Sequence, residues 1–166
     1  MADKDPILDG VKVRYTGVFD ATLLYKRLAE WIKKEKFKEP KEVRYVERVK
    51  PIGKIIDIVW TSSREELDGY ILMELDLKIF IVGMNDVELD RPNGKLKLNK
   101  ADLEISFTAT LIRNAKNEWN DKSLFKRFYE KYFIAQSIES FKIKLYRDTE
   151  KIIDETKNFL ALYSFK

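Results

Sequence analysis

The chain has 166 residues, 45% hydrophobic and 36% charged, with a formal net charge of +4 and neither cysteine nor histidine. That length suits a single domain, residues 1–166, with a true hydrophobic core. The two absences exclude structural disulfides, thiolate catalysis and histidine-based triads, and they restrict any zinc site to carboxylates.

In chain order, the opening "MADKDP" is the one stretch expected to be disordered. Alternation over residues 11–19 then predicts a strand with Val11, Val13, Tyr15 and Phe19 on one face and Lys12, Arg14 and Thr16 on the other; Gly17 permits a bend. Asp20 is a good N-cap for a helix over 21–37. Within it Leu24, Leu28, Trp31 and Ile32 recur at helical spacing, Lys33, Lys34 and Lys36 suit the C-terminal end, and Pro40 marks the stop.

From Glu42 the apolar period becomes two, predicting strands at about 42–50, 54–62, 69–83, 86–91 and 95–112. Pro51-Ile52-Gly53 reads as a turn, Ser62-Ser63-Arg64 as a longer connection, and Asn93-Gly94 as a tight hairpin turn whose residues tolerate positive φ. Leu96 and Leu98 are out of phase with Leu103, Ile105, Phe107, Ala109 and Leu111, so a bulge near Asn99-Lys100 is expected to switch the faces. Two helices follow, over 123–133 and about 135–163. The second carries a seam of Ile138, Phe141, Leu145, Thr149, Ile152, Thr156, Phe159 and Tyr163 at three-four spacing.

A strand meander with one apolar row per strand must cover that row, and the helices are the available cover. The expected fold class is therefore α+β: a bent antiparallel sheet of about six strands packed against a long C-terminal helix. This helix faces the apolar rows of residues 71–81 and 103–111. The order strand, helix, antiparallel meander, long final helix resembles the helix-grip superfamily of START-like and pollen-allergen-like domains. The first helical segment is shorter than the usual helix pair, and an extra helix precedes the last. The resemblance implies a curved sheet gripping the final helix over a cavity that often takes hydrophobic ligands.

Four regions are candidates for function. Trp31, Trp60, Phe107, Phe141 and Tyr146 could line a pocket between the sheet and the C-terminal helix, unless they simply fill a core; Tyr70 and Phe80 fall in the opposite strand phase. Glu74, Asp76, Asp102 and Glu104 alternate on polar strand faces and could gather around Mg²⁺ or Ca²⁺, or else pair with Lys78, Lys97 and Lys100. Residues 31–54 carry nine Lys or Arg against four Glu, whereas 64–90 carry two basic residues against eight acidic. The basic stretch, with Phe37 and Tyr45, has the composition of a phosphate-neutralising, base-stacking surface diluted by glutamates. Finally, the aromatic helix over 123–133 has more apolar residues than a narrow stripe needs, and Leu124, Phe125, Phe128, Tyr129 and Tyr132 could meet a protein partner or a second copy.

The leading expectation is a non-enzymatic binding module for a hydrophobic small molecule, with no cofactor and no metal. A protein-interaction or assembly subunit using the aromatic helix is the alternative, a nucleic-acid-binding module ranks third and an enzyme last. Runs such as "YILM" and "IFIVGM" are far too short to span a bilayer, and no apolar signal-type stretch opens the chain, so a cytoplasmic protein is expected. Abundant Lys and Glu with a single Gln give a thermophile-like composition.

Overall fold

The computed structural model describes residues 2–116, 124–129, 131–132 and 135–164. The chain forms β1 (Asp3–Phe19), α1 (Ala21–Lys34), β2 (Lys41–Lys50), β3 (Gly53–Glu66), a single 3₁₀ turn (Leu67–Gly69), β4 (Ile71–Arg91), β5 (Gly94–Arg113), α2 (Leu124–Tyr129) and α3 (Ala135–Ser164). All strands join one antiparallel five-stranded sheet in the order β1-β5-β4-β3-β2. The fold is α+β as expected, with the sheet packed against the C-terminal helix. It has five strands rather than six because residues 71–91 form one continuous strand.

The rows Ile71, Met73, Leu75, Leu77, Ile79 and Ile81 of β4 and Leu103, Ile105, Phe107, Ala109 and Leu111 of β5 are all buried on one sheet face. Two helices share that face. The α3 helix packs on β1, β5 and α1, burying Ile138, Leu145, Thr149, Ile152, Thr156 and Phe159, with Phe141 and Tyr163 half-buried. The buried hydroxyls are satisfied within the helix, Thr149 Oγ1 donating to the Leu145 carbonyl at 2.7 Å and Thr156 Oγ1 to that of Ile152 at 2.8 Å. Because β1 and β2 occupy opposite edges, α1 must cross the sheet to connect them, and it covers the β3–β4 side with Leu24, Leu28 and Ile32.

Several boundaries differ from expectation for identifiable reasons. The strand β1 begins at Asp3, since Asp3 to Pro6 pair with Arg113 to Thr110 and Arg113 Nε reaches Asp5 at 3.3 Å; "MADKDP" is therefore part of the sheet from Asp3 onward. Pro6 is tolerated because β1 is an edge strand. The α1 helix stops at Lys34, ahead of Lys36, whose φ of 71° is left-handed. Ser62, Ser63 and Arg64 belong to β3 rather than to a connection; Ser62 and Arg64 face the core, where polar partners receive them. The phase switch near Lys100 lies on the partner strand. The pairing shifts between Val82 and Asn85, where Gly83 has φ 68°.

Both hairpin turns are Pro-X-Gly. Lys50 pairs Gly53 and Arg91 pairs Gly94, leaving Pro51-Ile52 and Pro92-Asn93 as the two-residue loops. The turn is thus centred one residue earlier than Asn93-Gly94, because proline at the first loop position cannot take positive φ. The positive φ falls instead on Gly53 (124°) and Gly94 (125°). Their surroundings differ. A Cβ on Gly94 would meet nothing within 4 Å, whereas one on Gly53 would lie 2.7 Å from the Gly83 carbonyl carbon and 2.8 Å from the Met84 carbonyl oxygen. Asn85 Nδ2 holds this corner by donating to the carbonyls of Ile52 at 3.0 Å and Gly83 at 3.1 Å. Gly94→Ala should cost about 1–2 kcal/mol from backbone strain alone, and Gly53→Ala about 1–3 kcal/mol more because backbone would have to move. Equal losses in urea denaturation would contradict the packed corner.

Candidate functional site

The side chains beneath α1 form a floor of four isoleucines. Ile56 pairs Ile81, and Ile58 pairs Ile79, so the four make a two-by-two apolar patch extended by Met84. Ala21, Leu24 and Leu28 of α1 form one wall, and Tyr45 and Glu47 of β2, opposite Ile58 and Ile56, form the other with Lys54. The cavity between them, open to solvent, has a volume of about 270 Å³.

The helix is fixed at both ends. At its start Asp20 Oδ1 accepts from Leu23 N at 3.0 Å, and Asn99 Oδ1 on β5 accepts from Ala21 N at 3.1 Å. At its finish Arg64 donates to the Glu35 carbonyl. The following segment is stitched to β3, Lys38 N donating to the Ser63 carbonyl at 2.9 Å and Ser62 Oγ to that of Lys38.

The cavity rim is polar and internally paired. Tyr45 Oη donates to Glu47 Oε2 at 3.1 Å, and Lys54 Nζ lies 3.1 Å from Glu47 Oε1. Tyr25 Oη donates to Glu42 Oε1 at 2.8 Å, and the same oxygen accepts from Trp60 Nε1 at 3.3 Å. Hydrogen bonding from Lys54 and then Tyr45 holds the Glu47 carboxyl below its usual range, and Glu47 in turn raises the Lys54 ammonium. Burial, reinforced by the adjacent glutamates, raises both phenols. At neutral pH the rim therefore offers one carboxylate–ammonium pair and two neutral hydroxyls, and Lys54 keeps donors beyond the one aimed at Glu47.

The five aromatic residues expected to line a pocket are not brought together around this cavity. Trp60 comes nearest: it is buried behind Tyr25, with the rings edge-on at 4.8 Å. Trp31 lies on another side of α1, edge-on to Phe159 at 6.0 Å, beside Lys151 and Glu155. Phe107 is fully buried in the β5 row, Phe141 is half-buried on α3, and Tyr146 is exposed. The cavity is thus bounded by α1 rather than by the C-terminal helix.

The acidic candidates are separated. Glu74 and Asp76 lie opposite Thr110 and Thr108, whereas Glu104 and Asp102 lie opposite Phe80 and Val82. Glu104 is held by Lys12 at 3.4 Å and Arg14 at 3.1 Å from β1, and among the described residues no group of three or more carboxylates is placed to hold a metal ion. Burial and then the neighbouring Asp76 raise the Glu74 carboxyl, with Lys4 opposing. In the basic stretch, Lys33, Lys38 and Arg44 have partners in Glu39, Glu65 and Asp57, and Phe37 is buried. The aromatic helix exposes Leu124, Phe125, Phe128 and Tyr132; Ser123, Phe133 and the side chain of Tyr129 lie outside the described residues.

One cluster escaped the sequence reading. Arg64, 7% exposed, donates from Nη1 to Asp148 Oδ2 on α3 at 3.0 Å as well as to the Glu35 carbonyl. Its Nη2 lies 2.9 Å from Met73 Sδ, its Nε 3.6 Å from Glu66 Oε1, and its guanidinium sits 4.7 Å from the Phe37 ring centroid. Lys151 Nζ bridges the outside, 3.8 Å from Glu35 and 3.9 Å from Asp148. Its signal was an arginine on the apolar phase of a strand. No protein-family model matches the chain, and no curated protein is significantly similar to it.

Arg64→Met would leave the Asp148 carboxylate and the Glu35 carbonyl without their buried donor. It should cost about 3–5 kcal/mol in chemical denaturation. A loss below about 1 kcal/mol, typical of an exposed pair, would show that the cluster does not hold the two helices.

Proposed function

We propose that this chain is a binding module, not a catalyst, that holds a compact hydrophobic molecule between α1 and strands β2–β4. The observation that carries the reading is the cavity itself: an isoleucine floor and leucine wall, open on one side, with polar groups gathered at its mouth. Apolar lining with a few convergent polar groups is the usual composition of small-molecule sites. At about 270 Å³ it falls just under the ~300–1,000 Å³ of drug-sized pockets, which favours a short aliphatic or single-ring guest over a sterol. The guest's apolar body lies on Ile56, Ile58, Ile79 and Ile81, and its one polar end meets Lys54 or a tyrosine hydroxyl. Pairing among Glu47, Lys54 and Tyr45 suits recognition better than proton transfer, since each group's partner is already fixed. The order strand, crossing helix, antiparallel strands and long final helix supports a helix-grip-like kinship, in which such binding is common.

A solvatochromic naphthalene dye should bind the folded protein at one site per chain and be displaced by decanol. Leu28→Trp, which pushes an indole into the cavity, should weaken dye binding about tenfold or more while costing about 1–3 kcal/mol of stability through overpacking. No saturable dye uptake by the native protein, or uptake unchanged in a folded Leu28→Trp variant, would overturn the reading.

A further inference from the structure

The second feature that ordinary packing does not explain is α2 and the residues just after it. A folded chain normally buries large apolar side chains, yet Leu124, Phe125, Phe128 and Tyr132 are 79%, 82%, 54% and 64% exposed. Leu124 and Phe128 are four apart on α2 and so lie on one side of it, and the Phe128 and Tyr132 rings touch with centroids 4.7 Å apart. The result is a ridge rather than scattered apolar residues.

Cations flank the ridge. Arg127 and Lys131, four apart and both exposed, line a surface concavity together with Arg113, Ala135, Ile138, Glu139 and Lys142. Within this group Asp5 holds Arg113 at 3.3 Å and Lys142 at 3.9 Å, and Glu139 reaches Lys142 at 3.5 Å. Residues 116–132 carry five Lys or Arg against three acidic residues.

Aromatic and leucine side chains interleaved with Lys and Arg are the composition of helices that lie in a bilayer interface, their rings at the headgroup–acyl boundary and their cations on lipid phosphates. A protein-binding ridge would share the aromatics and the arginine, but lysine is depleted at protein–protein interfaces, and the exposed Lys131 flanks the ridge here. No helix among the described residues is long and apolar enough to cross a membrane, so the contact would be with a surface. We propose that the α2 ridge docks this protein onto an anionic lipid bilayer. Leu124, Phe125 and Phe128 enter the interface, Tyr132 sits at headgroup level, and Arg127 and Lys131 meet lipid phosphates. The inference does not depend on the α1 cavity. The concavity lies at the end of β4 where Ile71 pairs Arg113, and the cavity lies toward the other end at Ile79 to Met84.

Flotation of the full-length protein with phosphatidylcholine vesicles, with and without about one-third phosphatidylserine, tests it. Binding is expected to the anionic vesicles only and to weaken with salt. The double variants Phe125→Ser/Phe128→Ser and Arg127→Glu/Lys131→Glu should each lower partitioning about tenfold or more with no change in melting temperature, because these side chains are exposed. Leu28→Trp should float like the native protein. The proposal is overturned if the native protein does not float with anionic vesicles. It is equally overturned if the serine variant floats as well as the native protein, since that would be generic attraction of a basic chain. A soluble dimer that the serine variant dissociates, without vesicle binding, would assign the ridge to a second copy instead.

Discussion

A guanidinium buried at the end of a β-strand persists only where its donors find acceptors, and around Arg64 those acceptors come from separate elements. The Glu35 carbonyl closes the end of α1, Asp148 belongs to α3, and Met73 and the Phe37 ring complete the enclosure. The geometry suits its electrostatics. A cation at the C-terminal end of α1 complements the helix dipole, and the Asp148 carboxylate on the same guanidinium offsets the desolvation that a lone buried charge would incur. Lys151 closes the outside of the cluster, so that Glu35 and Asp148 are not left as net negative charge beneath α3.

From this junction follows the way the covered face is divided. The α3 helix lies directly on β1 and β5, where side chains fill the space between. The α1 helix is fixed at Asn99 and Asp20 on one side and at Arg64 on the other, and it rests against α3. Between those anchors Leu24 and Leu28 are buried over the isoleucine floor, and a cavity of about 270 Å³ remains beside them. Protein interiors otherwise pack near crystal density with few voids, so an apolar void open to solvent, rimmed by Glu47, Lys54 and two tyrosines, has a different status from the rest of the core.

The alternating rows of β4 and β5 and the three-four seam of α3 were legible in the sequence, because burial on one face imposes a period that single residues cannot hide. Three kinds of feature were not. Ser62 and Arg64 look like a connection when read locally; they are strand residues because carbonyls of residues 35 and 38, far away in sequence, satisfy them. Residues 3–10 lack alternation because backbone pairing to β5, interrupted by register shifts, holds them. The cavity left no pattern at all. Ile56, Ile58, Ile79 and Ile81 read as ordinary core residues, and only the pairing register and the standing of α1 set them around a space. The expected aromatic residues do not line this cavity; Phe107 and Trp60 are buried as core volume instead.

The most direct test is methyl-resolved NMR of the protein during titration with decanol. The central claim, that α1 rather than α3 covers a ligand cavity, expects saturable shifts at the methyls of Ile56, Ile58, Ile79, Ile81 and Leu28, with Leu145 and Ile152 beneath α3 unmoved. Saturable shifts centred on Leu145 and Ile152, or no saturable shift at any of these methyls, would contradict it.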